Sequence, residues 1–64
     1  MSATSAELWS MATTVEELTT RLAAVADHYQ AAHRDDLVAD LHEIERALNA
    51  AARRLNRLAG ADGA

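Results

Sequence analysis

Sixty-four residues make one domain at most, at a size where a self-contained apolar core is hard to build. The chain has no Cys, Pro or Phe, and without Cys there is no disulfide framework, thiolate metal site or thiol nucleophile. A net charge of −4 argues against a dedicated nucleic-acid binder, because phosphate contacts need a basic surface.

The N-terminal stretch MSATSAELWSM has no basic region and no continuous apolar run, so a secretory signal is not expected. No apolar run approaches the ~18 residues of a membrane span. The expected setting is therefore the cytoplasm, away from membranes. Sixteen Ala and six Arg without a single Lys suggest a GC-rich coding sequence, such as an actinobacterial one.

The first element is a long helix. Leu8, Met11, Val15, Leu18, Leu22, Val25, Tyr29 and Ala32 follow one another in steps of three and four, the heptad spacing of coiled-coil packing. Thr4 with Glu7, and Thr14 with Glu17, both match the capping box, in which two side chains satisfy orphan backbone donors. The pattern predicts a helix from about residue 5 to 32. It is loosened near residues 10 to 14, where Ser10, Thr13 and Thr14 are poor helix formers.

A turn is expected over residues 33–36, HRDD, with Asp35 as N-cap and Asp36 at the positive end of the next helix dipole. The second helix then spans about 36 to 59. Its stripe is Leu37, Leu41, Ile44, Leu48, Ala51, Leu55 and Leu58. Arg53, Arg54 and Arg57 suit the negative end of that helix, and Gly60 suits the position just past it. Residues 60–64 read as a frayed tail.

So short a connection sends the second helix back antiparallel. The expected fold is all-α: an antiparallel, coiled-coil-like two-helix hairpin. Its core is assigned to Leu8, Met11, Val15, Leu18, Leu22, Val25 and Tyr29, facing Leu37, Leu41, Ile44, Leu48, Ala51, Leu55 and Leu58. The matched stripes set Tyr29 near Leu41, Val25 near Ile44, Leu22 near Leu48 and Leu18 near Ala51.

A single seam of that kind buries too little for so many ordered residues, so dimerisation into a four-helix bundle is expected. Ala12, Thr19, Ala26 and His33, with Val38, Glu45, Ala52 and Ala59, form a mainly small flank. That flank is assigned to the second hairpin, with Trp9 covering the end of the interface. The other flank carries Glu7, Thr14, Arg21 and His28 opposite Arg54, Ala47 and Asp40, and is mainly polar.

Chemistry-bearing patterns are sparse. His28, His33 and His42 lie among Asp27, Asp35, Asp36 and Asp40, but the Glu-x-x-His motifs of di-iron bundles are absent. No metal or cofactor is expected, and His28 is placed across the hairpin from Asp40. No Ser/His/Asp or Cys/His set and no Gly-rich phosphate loop occurs, so neither catalysis nor catalytic residues are expected. The basic run RALNAAARRLNRL, with Arg46, Arg53, Arg54 and Arg57, is read as dipole complementation plus pairing with Glu16 and Glu17.

These features point to a small non-enzymatic interaction or adaptor protein, a homodimer that binds or regulates another protein. The alternative is a transcriptional or antitoxin-type regulator using the Arg-rich end of the second helix on DNA. A metal- or ligand-binding bundle ranks third.

Overall fold

The computed structural model describes residues 3–63 and consists of two α-helices, α1 (Ala3–Ala31) and α2 (Asp35–Gly63), packed side by side. The chain is an all-α antiparallel hairpin. Its Cα atoms span 47 × 14 × 10 Å, the outline of a rod two helices wide. The radius of gyration, 14.7 Å, is well above the ~11 Å of a compact domain of this length.

Helix α1 is unbroken through residues 10–14, where loosening was expected. Thr13 and Thr14 donate their hydroxyls back to the carbonyls of Trp9 and Ser10, each at 3.1 Å. Thr19 and Thr20 do the same to Val15 and Glu16, at 3.0 and 3.3 Å. Hydroxyls satisfied within the helix no longer compete with it for other partners. Neither capping box marks the start, since the helix already includes Ala3 and Thr4.

The turn closes by a Schellman arrangement. The His33 amide donates to the Gln30 carbonyl at 3.1 Å, and the Arg34 amide donates to the Tyr29 carbonyl at 2.9 Å. His33 holds φ at 59°, the left-handed conformation usually taken by Gly or Asn. The Arg34 carbonyl then accepts from Leu37 and Val38, each at 3.1 Å, so Arg34 occupies the cap position expected for Asp35. Its guanidinium bonds both carboxylate oxygens of Asp36 at 3.4 Å.

Helix α2 continues through Gly60 to Gly63. Residues 60–63 are therefore helical where a frayed tail was expected, and Ala64 lies outside the described residues. The extension has a tertiary reason. The Ser5 hydroxyl lies 3.0 Å from the Ala59 carbonyl and 3.0 Å from Asp62 Oδ2, tying the last turns of α2 to the first turn of α1. Because α2 runs on, Arg53, Arg54 and Arg57 are not in its last turn, which holds no basic residue. They do not complement its terminal dipole.

The seam is built from small residues. Ser5, Ala12 and Ala26 on α1, and Ala52 and Ala59 on α2, are all buried, at 0–3% exposure. Thr19, Val38 and Glu45 complete the two series and are half-buried. Residues 5, 12, 19 and 26, and 38, 45, 52 and 59, recur every seven residues, as a straight inter-helix seam requires. Side chains this short let the backbones approach at the close end of the ~8–10 Å range for packed helices.

This overturns the expected division of labour. The flank assigned to a second hairpin closes the hairpin itself, and the stripe assigned to the seam lies beside it. The register moves as well. Two helices of 29 residues each, matched end to end (3 with 63, 31 with 35), place residue n level with residue 66 − n. The Ser5 contacts to Ala59 and Asp62 bracket that match. Tyr29 is thus level with Leu37, Val25 with Leu41, Leu22 with Ile44 and Leu18 with Leu48. The pairs expected from the sequence are off by about one helical turn.

Candidate protein-interaction face

A seven-residue seam divides each helix into two shoulders. Three residues after each α1 seam position come Leu8, Val15, Leu22 and Tyr29; four residues after come Trp9, Glu16, Ala23 and Gln30. The same offsets on α2 give Leu41, Leu48, Leu55 and Asp62 on one shoulder, with His42, Asn49, Asn56 and Gly63 on the other. In an antiparallel pair, equivalent shoulders fall on the same side. The Asn56 amide donates to Glu16 Oε1 at 3.4 Å, a bond across the polar shoulders of both helices.

The hairpin therefore has one polar and one apolar face. Leu8, Val15, Leu22, Tyr29, Leu37, Leu41, Leu48 and Leu55 are half-buried along the middle of the apolar face. Met11, Leu18 and Val25 on α1, with Ile44 and Leu58 on α2, form its outer edges, with exposures from 41% to 58%. Ala51, the remaining member of the stripe, is exposed as well. The largest fully buried side chain among the described residues is that of Ser5. Every large apolar residue among the described residues retains surface that water can reach.

Trp9 is 38% exposed and sits on the polar shoulder, away from the apolar face. Ala12, Ala26, Ala52 and Ala59 are already covered within one chain and offer a second chain nothing. The sequence signal that marks the true seam is the seven-residue recurrence of mostly small residues, Ser5, Ala12, Thr19 and Ala26 on α1 and Ala52 and Ala59 on α2, which the larger Leu stripe overshadows.

The polar groups form few contacts. Arg34–Asp36 is the one ion pair within 4 Å among the described residues. The Arg34 bonds hold the Asp36 carboxyl below its ordinary value. Glu16 meets Asn56, not Arg54, and Arg57 forms no ion pair with Glu17. His28 packs edge-on against Tyr29 with ring centroids 5.6 Å apart, and no bond joins it to Asp40. No group of three His, Asp or Glu among the described residues is placed to hold a metal ion.

Glu45 is the polar member of the α2 seam, and its Oε1 is buried without a hydrogen-bond partner. Two grooves indent the outer edges. One, of about 360 Å³, is lined by Leu18, Arg21, Leu22, Ala24 and Val25. The other, of about 330 Å³, is lined by Arg54, Arg57, Leu58 and Ala61. Each groove thus puts an Arg at the rim of the apolar face.

The chain matches no protein-family model, no curated protein and no solved structure. Its own geometry carries the functional reading. Among the described residues, no helix is long and apolar enough to cross a membrane.

Proposed function

We propose that this is a small non-enzymatic helical interaction module that docks through its apolar face, forming a homodimer and binding or regulating another protein. One observation carries the reading. Five large apolar side chains, Met11, Leu18, Val25, Ile44 and Leu58, remain 41–58% exposed on one side of a rod whose opposite side is polar. A continuous apolar surface rimmed by polar residues is the usual mark of a protein interface. Docked helices that cover such a face bury what the small-residue seam leaves open, giving a four-helix arrangement.

The absence of Cys suits a cytoplasmic setting for this module. Exchange of Leu18 and Ile44 for Glu tests the reading, because both are edge residues outside the hairpin seam. Sedimentation equilibrium should show that the double variant loses self-association. A double variant that associates as tightly as the parent would place the docking surface elsewhere.

A further inference from the structure

Resting on that reading, we infer that a second copy seats on the apolar face turned end for end, with the two turns at opposite ends of the bundle. The area suits a second copy. The Cα outline of 47 × 14 Å covers about 650 Å² before side chains widen it, close to the ~800 Å² per partner of a standard interface. A two-fold axis allows two ways to oppose identical faces. The axis lies along the rod, placing both turns together, or across it, placing them apart.

Packing selects the second. The level pairs are Leu8/Leu58, Met11/Leu55, Val15/Ala51, Leu18/Leu48, Leu22/Ile44, Val25/Leu41 and Tyr29/Leu37. Val15/Ala51 is the thinnest of these layers and Tyr29/Leu37 the bulkiest. With both turns together, symmetry stacks each layer on its own copy. Thin then meets thin, leaving a void, and Tyr29/Leu37 meets the partner's Leu37 and Tyr29. Turned end for end about the Leu18/Leu48 level, two residues short of full overlap, Val15/Ala51 meets the partner's Leu22 and Ile44. Tyr29/Leu37 meets the partner's Leu8 and Leu58, while Leu18/Leu48 packs on itself at the centre. Protein interiors are filled evenly to crystal-like density, and only this arrangement alternates large with small.

Charge selects it independently. At the turn end Asp27, Asp35, Asp36 and Asp40 outnumber Arg34, while Arg53, Arg54 and Arg57 toward the open end lie among Glu7, Glu16, Glu17 and Asp62. Turns placed together bring the acidic ends of both copies within the range where screened charges still repel, about 10 Å. The end-for-end arrangement separates them. It also gives a place to Arg54, which neither dipole nor Glu16 explains. Arg54 lines the groove beside Leu58 at the rim, level with residue 12 of α1. Turned about the Leu18/Leu48 level, that level falls within two residues of the partner's Asp40. In the other arrangement Arg54 faces the partner's Thr14.

A chain without Cys allows a direct test. Ala32 is exposed in the turn, and Ala32→Cys takes one nitroxide label per copy. Pulsed electron spin resonance on the dimer should give a label separation approaching the 47 Å rod length. Turns at the same end would give less than about 20 Å, since adjacent helices lie ~8–10 Å apart. A short distance overturns the arrangement while leaving the docking face standing; a monomer at every concentration overturns both. Arg54→Asp and Asp40→Arg should each weaken the dimer a few-fold, and combining them should restore it. Losses that simply multiply in the double variant contradict the pairing.

Discussion

Ser5 and Ala59 are 54 positions apart, yet the Ser5 hydroxyl lies 3.0 Å from the Ala59 carbonyl in a buried contact. That contact ties the two helices together at the open end of the hairpin, the end away from the turn. Exchange of Ser5 for Ala fits the seam and removes only the hydroxyl. It should cost ~0.5–1.5 kcal/mol, the ordinary net worth of one hydrogen bond. Urea melts of parent and variant at one protein concentration would measure it, and an unchanged midpoint would mean that this contact holds nothing.

Seam closeness makes a sharper prediction. Ala52 is 3% exposed between the helices, while Ala39 is exposed elsewhere on α2. Leu at position 52 should force the backbones apart and cost ~1–3 kcal/mol. Leu at position 39 should change stability by less than about 0.5 kcal/mol. Equal effects in thermal melts would mean that the small residues do not form the seam.

The division of faces shows what the sequence could and could not reveal. Heptad spacing made both helices and the turn legible, because spacing and capping are local properties. Which stripe closes the hairpin is a tertiary choice. Leu18, Val25 and Ile44 look like core because they are large, but Ala12, Ala26, Ala52 and Ala59 permit a closer helix approach. Two apolar stripes side by side leave the choice open when residues are scored by size. The end of α2 was misplaced for a related reason. Gly60 reads locally as a stop, and the Ser5–Asp62 contact that extends the helix is long-range.

Glu45 is a cost that the fold carries. Its Oε1 lies buried in the seam without a hydrogen-bond partner, and an unsatisfied buried acceptor disfavours the folded state. Replacement by Ala would extend the small-residue seam and should stabilise the hairpin by ~1 kcal/mol. Loss of stability in Glu45→Ala melts would show that the carboxylate has a favourable role.

His33 adopts φ of 59° without the freedom of Gly. His33→Gly should raise stability by ~0.5–1 kcal/mol, and His33→Val should lower it because a β-branched side chain resists that conformation. Paired denaturation curves decide between this and a turn insensitive to residue type.

Asp36 supplies a pH test. The Arg34 hydrogen bonds depress its folded-state pKa, so its contribution is present above the unfolded value and lost as pH falls through the folded one. Arg34→Ala should move the Asp36 titration upward in carboxyl-carbon NMR. A titration left where it was would exclude Arg34 as the cause.

The central claim is that the apolar face formed by Leu8 through Leu58 is covered by another polypeptide, first of all by a second copy. Sedimentation equilibrium of the unmodified chain at micromolar concentration measures this directly. The predicted result is a species of twice the 6.9 kDa chain mass whose melting temperature rises with concentration. A folded monomer that melts cooperatively, at a temperature independent of concentration, would contradict it.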